Sequence, residues 1–452
     1  MSIDVQILQR AARSAAWILI SFLLLGGQAQ AVNLGVVQAY QAARLNDPMY
    51  RAAVAEHEAG QEYQKLGQAQ LLPSISASYA NSRNHADVNS VQGGTDRRDY
   101  RSTSSGLQLR QPLVHLEGLA ARRQGFARTS ASNFMFAAHQ QDLIVRVFEA
   151  YATALLAQEQ HVLIQAQLTS LTEQLRANER MLANGEGTRT DVLETKAKHS
   201  MAQAQLIESR DNLTYARNKL AVITGVTFQN LDKHVTGLET LSVQTPPLAH
   251  WRALALEKNG LLQSLRRNAD VAKEEINRVK SGHYPRLDLV ASVGRSESDT
   301  LSSFQQSART RMVGVQLQVP LYAGGGISAQ GRQASALYTQ ALADLDAKTS
   351  EVMVGLDRQY HLLESGALRI KALMDAVESS RNLVEATRKS VSGGVRINMD
   401  VLEAQERLTQ AERDLAQAGY TYLLTGLRLR QTAGVLTEDD LSALANRFGP
   451  AE

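Results

Sequence analysis

The stretch GVRINMDVLE, Gly394–Glu403, has a partner in GEGTRTDVLE, Gly185–Glu194. Asp-Val-Leu-Glu recurs at 191–194 and at 400–403, an offset of 209 residues. In each copy glycine interrupts a long helical pattern and a second helical pattern begins at once. Each stretch therefore reads as the tight turn at the tip of a helical hairpin, and the chain reads as one unit built twice.

Outward from the tips the periodicity is that of long helices. Upstream of the first, Glu117–Ala183 contains no proline and carries an apolar seam stepping by four and three: Leu143, Val147, Ala150, Ala154, continuing to Leu171, Leu175, Asn178 and Leu182. That is a coiled-coil period, and at 1.5 Å per residue such a helix spans about 100 Å. The return helix, Thr190–Thr224, has the seam Val192, Thr195, His199, Ala202, Leu206, Ser209 and onward to Ile223. The second return helix repeats it 209 residues later, from Val401 through Ala404 and Leu408 to Thr432. The expected division is a signal peptide at 1–31, a first repeat at 32–250, a second at 251–436, and a C-terminal tail at 437–452.

Inside each repeat a helix precedes two alternating runs, expected as strands at about 73–82 and 104–113, then 284–294 and 311–321. Leu287, Leu289, Ala291 and Val293 share one face, as do Val313, Val315, Leu317 and Val319. GLQLRQPL at Gly106–Leu113 matches GVQLQVPL at Gly314–Leu321. The polar stretches Arg83–Ser102 and Gly294–Ser307 read as exposed loops, and Trp251–Ser281 as one helix. Long helices follow at 117–183 and 327–390, tip turns at 184–190 and 391–398, and return helices at 190–224 and 399–433.

Composition bounds the function. The 452 residues carry a formal charge of +3, with Lys and Arg dispersed, so nucleic acid is not implied. The chain has no cysteine, which removes disulfides, thiolate metal sites and a lipidated N-terminal cysteine. Arg10 and Arg13, the apolar run Ala15–Leu25 and Ala29-Gln30-Ala31 form a secretory signal pattern, with the mature chain expected from Val32. Gly324–Gly326 lacks the residues of a phosphate loop, the ten histidines are dispersed, and no nucleophile triad is recognisable. No catalytic, cofactor or metal site is expected.

Strands of nine to eleven tilted residues suit an outer membrane. Four of them cannot close a barrel, since the smallest bacterial ones need about eight. Several chains must then share one. The two-copy plan, the proline-bounded strand pairs, the Gly-x₅-Asp-Val-Leu-Glu tips and Val435–Leu441 together resemble the TolC family of outer membrane channel proteins, over nearly the whole mature chain. The resemblance implies a mainly α fold with transmembrane β: a long α-helical coiled-coil barrel in the periplasm and a 12-stranded β-barrel in the outer membrane, shared by three protomers. It implies a homotrimer in outer membrane lipid, partnered by a periplasmic adaptor and an inner-membrane ABC transporter. The function so implied is a passive duct of a type I secretion system. The alternatives are the outer membrane factor of a drug or small-molecule efflux pump, driven by a proton-coupled transporter, and, in another class, a soluble periplasmic coiled-coil scaffold.

The resemblance also assigns roles at the tips. Asp400 and Glu403, at i and i+3 on one helical face, match acidic positions lining the periplasmic entrance, where rings of carboxylates favour cations. Arg396 matches an arginine that ties the closed entrance to a neighbouring hairpin, with Thr190 and Asp191 as the matching acceptors. The family's tyrosine in that network falls on Val391. Gly185, Gly187 and Gly394 are the expected contacts with adaptor or transporter. Asp191 and Asp400 also open helices, where a negative charge is favourable in any case.

Overall fold

A computed structural model describes residues 34–89, 95–228, 230–231, 245–298, 306–396 and 398–448. The expected signal peptide, 1–31, lies outside the described residues, as does 232–244. The elements follow in the order α1 (Val36–Asn46), α2 (Pro48–Ala69), β1 (Ser74–Asn89), β2 (Thr95–Val114), α3 (Leu116–Ala183) and α4 (Arg189–Thr224). The second half gives α5 (Leu248–Lys258), α6 (Gly260–Lys280), β3 (Arg286–Ser298), β4 (Gln306–Gln318), α7 (Gly326–Ser392) and α8 (Asn398–Thr432), and α9 (Glu438–Ala445) closes the chain.

The long helices α3 and α7 run for 68 and 67 residues. Each packs against its return helix, α4 or α8, and against the shorter helix that precedes the strands. No isolated helix of this composition holds itself in water; the seam must be covered. Leu143, Val147, Ala150, Ala154, Ile164, Leu171 and Asn178 are buried along α3. Leu182, the last seam position, is exposed, because the hairpin narrows to its turn there and offers no neighbour. The main core lies midway along the body. Leu143, Phe148, Tyr151 and Leu155 of α3 meet Tyr40 of α1, Leu220 of α4 and Leu423 of α8.

A junction between short helices corrects the expectation of a single helix from Trp251 to Ser281. Asn259 adopts an extended backbone, φ −61° and ψ 116°, which ends α5 and starts α6. Its Oδ1 accepts from the Leu262 N–H at 3.0 Å and its Nδ2 donates to the Thr432 carbonyl at 2.8 Å. Asp47 does the same between α1 and α2, with φ −61° and ψ 118°, accepting from the Tyr50 N–H at 3.2 Å. A short polar side chain at such a kink satisfies a first-turn donor. Asp47 is 2% exposed and also pairs with Arg146 at 2.7 Å. The segment read as a tail from 437 instead forms α9, opened by a Thr437–Asp440 capping box, and returns Leu441 and Phe448 to the core.

The four strands form one antiparallel sheet in the order β1-β2-β3-β4. The β2–β3 pairing joins the two halves. The strands are longer than expected at their outer ends. Arg83–Ser102 is not a loop from end to end: Arg83–Asn89 pairs with Thr95–Arg101. Likewise Arg295–Ser298 pairs with Gln306–Arg309. Polar side chains bonded across the strands hold these extensions, among them Ser82 with Ser102 at 2.6 Å, Arg97 with Asp87 at 3.0 Å, and His85 with Asp99. At the other end β4 stops at Gln318, so Val319–Leu321 lies outside it; Pro320 has no N–H to give a ladder.

The register sorts the sheet into two faces. Ile75, Leu109, Ala291 and Val313 stand in one row across all four strands, with Leu289 and Val315, then Leu287 and Leu317, in the rows toward the helices. The opposite face carries Ser76, Gln108, Ser292 and Met312 in one row, and Ser78, Gly106, Gly294 and Thr310 in the next. The apolar face is bare in a single chain: Ile75 is 73% and Val313 78% exposed. Among the described residues no helix is long and apolar enough to cross a membrane.

Asp47→Ala removes a helix cap and leaves the half-buried Arg146 with only Asp142. A loss of about 2–3 kcal/mol is expected, with Asp47→Asn losing less because the cap survives. Thermal unfolding of the purified protein measures both, and equal melting temperatures for all three proteins would contradict the assignment.

Candidate functional site

The chemistry-bearing residues singled out from the sequence gather at the two hairpin tips, far from the sheet. Each turn is closed the same way. Gly185 and Gly394 have φ of +78° and +73°, a left-handed conformation that costs glycine little. The Glu186 N–H donates to the Met181 carbonyl at 2.9 Å, and the Val395 N–H to the Ser390 carbonyl at 3.0 Å. Both wrap the last carbonyls of the incoming helix in the bonding pattern that commonly ends helices at glycine. A Cβ added at Gly185 or Gly394 would meet nothing within 4 Å, so the left-handed backbone alone favours glycine there.

The return helices start differently. At the first tip Thr188 is the N-cap: its Oγ1 accepts from the Asp191 N–H at 3.1 Å, and the Asp191 carboxylate accepts from the Thr188 N–H at 3.2 Å and from its hydroxyl at 2.7 Å. This is a reciprocal capping box. The Thr-x-x-Asp spacing announces it in the sequence, and the sequence reading above assigned Asp191 without its partner Thr188. A second lock lies one turn deeper, where Asn178 Nδ2 donates to Thr195 Oγ1 at 2.8 Å inside the seam.

Among the described residues neither device has a counterpart at the second tip. Ile397, which lies outside the described residues, stands where Thr188 does in the first copy, and an isoleucine side chain accepts no hydrogen bond. Thr387 and Ala404 replace Asn178 and Thr195. Asp400 is partly buried and Glu403 exposed. Glu403 lies 3.6 Å from Arg407, one turn along the same helix. Among the described residues the Asp400 carboxylate has no ion-pair partner.

Arg396 is exposed beside Gly394. Within one protomer, and among the described residues, it forms no ion pair with Asp191 and no hydrogen bond with Thr190. The two hairpins touch instead through their flanks. Leu171 of α3, Ala202 of α4 and Leu402 of α8 form a small buried cluster. Lys198 reaches Glu406 at 3.5 Å, and Ser170 reaches Gln405 at 3.4 Å. These contacts seat the second tip against the first.

The arrangement offers carboxylates and turn backbone at one end of a long hollow-forming body, and a membrane-fitting sheet at the other. Among the described residues no group of His, Cys, Asp or Glu is placed to hold a metal ion.

Comparison with known proteins fits this geometry. A model of the family "Outer membrane efflux protein" matches residues 39–226 and 251–435, one match in each half. The chain is 40% identical over 445 residues to the proteases secretion protein PrtF of Dickeya chrysanthemi, covering 97% of this chain and 96% of that one. It is 41% identical to the alkaline protease secretion protein AprF of Pseudomonas aeruginosa, covering 97% and 92%. Identity to the outer membrane protein TolC of Escherichia coli is 29%, covering 92% and 85%. Among solved structures, the CmeC outer membrane channel of Campylobacter jejuni superposes with a TM-score of 0.78 at 15% identity, covering 91% and 89%.

Thr188→Ala is expected to cost about 1 kcal/mol locally. Hydrogen exchange should show it as faster amide exchange in residues 189–192, with the second tip unchanged; equal exchange in both proteins would remove the capping role.

Proposed function

Since the chain belongs to the outer membrane efflux protein family, we propose that it is the outer membrane component of a type I secretion system, a passive duct for an exported protein. The observation that carries this reading is the near-full-length similarity to PrtF and AprF, both named for protease secretion, at 40% and 41% identity against 29% for TolC. The working unit is a homotrimer in outer membrane lipid. Its partners are a periplasmic adaptor and an inner-membrane ABC transporter, and the tips at Gly185, Gly187 and Gly394 meet them.

The duct itself needs no catalytic group. Its outer part is a barrel whose inner face is the polar and small-residue side of the sheet, and its periplasmic part is the ring of hairpins. In a trimer, Asp400 and Glu403 repeat around the axis as two carboxylate rings. Arg396 reaches from the second tip to Thr190 and Asp191 of a neighbouring hairpin and so holds the mouth closed. Three features support that division of labour. Asp400 stands on the tip where Thr387 and Ala404 replace the Asn178–Thr195 pair, Arg396 is exposed next to the turn, and among the described residues it has no bond to Thr190 or Asp191 of its own protomer. Asp191 keeps lone pairs free beyond its cap, since a carboxylate accepts about four hydrogen bonds.

The direct test is complementation. In a strain lacking AprF but retaining the remaining alkaline protease secretion components, this chain should restore extracellular protease. Normal outer membrane assembly of the trimer with no protease outside the cell would refute the secretion role. At the mouth, Arg396→Ser is expected to raise single-channel conductance in planar bilayers several-fold, and conductance equal to that of the unaltered trimer would dismiss the lock.

A further inference from the structure

The apolar face of the sheet does not end in neutral residues. Moving outward from the helices along that face, Val313 on β4 is followed by Arg311 and Arg309, Val293 on β3 by Arg295, and Leu107 on β2 by Ser105, Thr103 and Arg101. On β1 Tyr79 is followed by Asn81 and Arg83. All five arginines are exposed. The register sets like charges opposite one another: Arg83 faces Arg101, and Arg295 faces Arg309. Directly opposed like charges weaken an antiparallel sheet, so their placement calls for a counter-charge.

The chain supplies little of it. Glu297 pairs with Arg295, and Arg101 bonds the neutral amide of Asn81 at 3.0 Å. The carboxylates farther out are taken up, Asp99 by His85 and Asp87 by Arg97. Arg83 shares the field of Asp99, whose carboxylate is held first by His85, and among the described residues Arg309 and Arg311 have no ion-pair partner.

The level of these side chains identifies what surrounds them. They share the face of Ile75, Leu107, Val293 and Val313, which is the lipid face, and they sit on its end away from the helices, which is the outer leaflet side. From β1 to β4 the change from apolar to charged steps toward the helices, from Arg83 to Arg311. A membrane plane cutting across tilted strands produces such a slant. Charge on a barrel's lipid face is tolerated only toward the interface, and there the groups within reach are phosphates, which arginine binds through paired N–H donors.

We propose that Arg83, Arg101, Arg295, Arg309 and Arg311 form a belt around the trimer that binds the phosphates of anionic glycolipid in the outer leaflet. The belt rests on the barrel lying in the outer membrane. It does not depend on the cargo, so the secretion result leaves it untouched. Clustered arginines next to an apolar surface are a general means of holding anionic lipid. The belt fixes the barrel's height and orients it, with apolar side chains in the acyl layer and guanidinium groups in the phosphate layer.

The test is titration of the detergent-purified full-length trimer with phosphorylated lipid A, with its dephosphorylated form and with inorganic phosphate, read by native mass spectrometry. Phosphorylated lipid A should bind more tightly than the dephosphorylated form, and inorganic phosphate should not saturate the same sites. Arg309→Gln with Arg311→Gln should weaken lipid A binding on the order of tenfold. The corresponding double lysine variant should recover most of the loss, and Arg97→Gln, which lies in a satisfied pair, should bind as the unaltered trimer does. Equal affinity for both lipid forms, equal affinity in the glutamine variant, or saturation by inorganic phosphate would each overturn the belt. If the glutamine variant does not assemble, salt decides on the unaltered trimer: added sodium chloride should weaken phosphorylated lipid A and leave the dephosphorylated form unaffected, and no such difference would overturn the proposal.

Discussion

The fold depends on an open edge. One chain supplies a four-stranded sheet with β1 and β4 at its margins, and a margin set in hydrocarbon leaves N–H and C=O groups unpaired at several kcal/mol each. Water is absent there, so only another strand can satisfy them. The neighbouring protomer's sheet is the available one, β4 of one chain against β1 of the next, and three sheets of four close twelve strands. A single chain therefore cannot satisfy the outer-membrane half of the molecule, and three chains give the twelve strands of the family's barrel.

The helical half faces a different limit. Helices of 68 and 67 residues have no membrane around them, and their seams are too narrow and too rich in alanine to form a thick core. Small seam residues let helices approach closely, which suits a wall one helix thick. The thickest packing is reserved for the middle of the body, where α1, α8, α9 and Phe448 just beyond α9 converge on Phe148 and Tyr151. Phe448 sits edge-on to both rings.

Much of this was legible in the residues. The seam, the tips and the alternation each follow a period, and period survives without knowledge of the partner. What was not legible was polar on both sides. Arg83–Asn89 has no apolar alternation, so nothing in its pattern distinguishes a strand from a loop; its partners His85–Asp99 and Asp87–Arg97 are visible only once the register is known. The junction at Asn259 was missed because one asparagine in a helical pattern is a weak breaker, and its bond to the Thr432 carbonyl comes from a remote part of the chain. Thr188 is the opposite case: the capping spacing was local and readable. At the candidate mouth the carboxylates stood out through the repeated Asp-Val-Leu-Glu, whereas the Leu171–Ala202–Leu402 cluster that seats one hairpin on the other combines three seams, and no single seam announces it.

Duplication within one chain has a consequence that assembly of identical short units would not. Six identical hairpins would have six identical tips, equally fixed. Two fused copies can diverge, and here they have: the first tip holds its return helix with Thr188, Asp191, Asn178 and Thr195, while the second has Ile397, Asp400, Thr387 and Ala404 at the same places. Around a trimer the ring then alternates hairpins that carry the Thr188–Asp191 box and the Asn178–Thr195 bond with hairpins whose sequence lacks that threonine and asparagine. A threonine hydroxyl present at one N-cap and absent from the matching position of its repeat thus distinguishes two turns that share a glycine and Asp-Val-Leu-Glu, a difference that identical units could not carry.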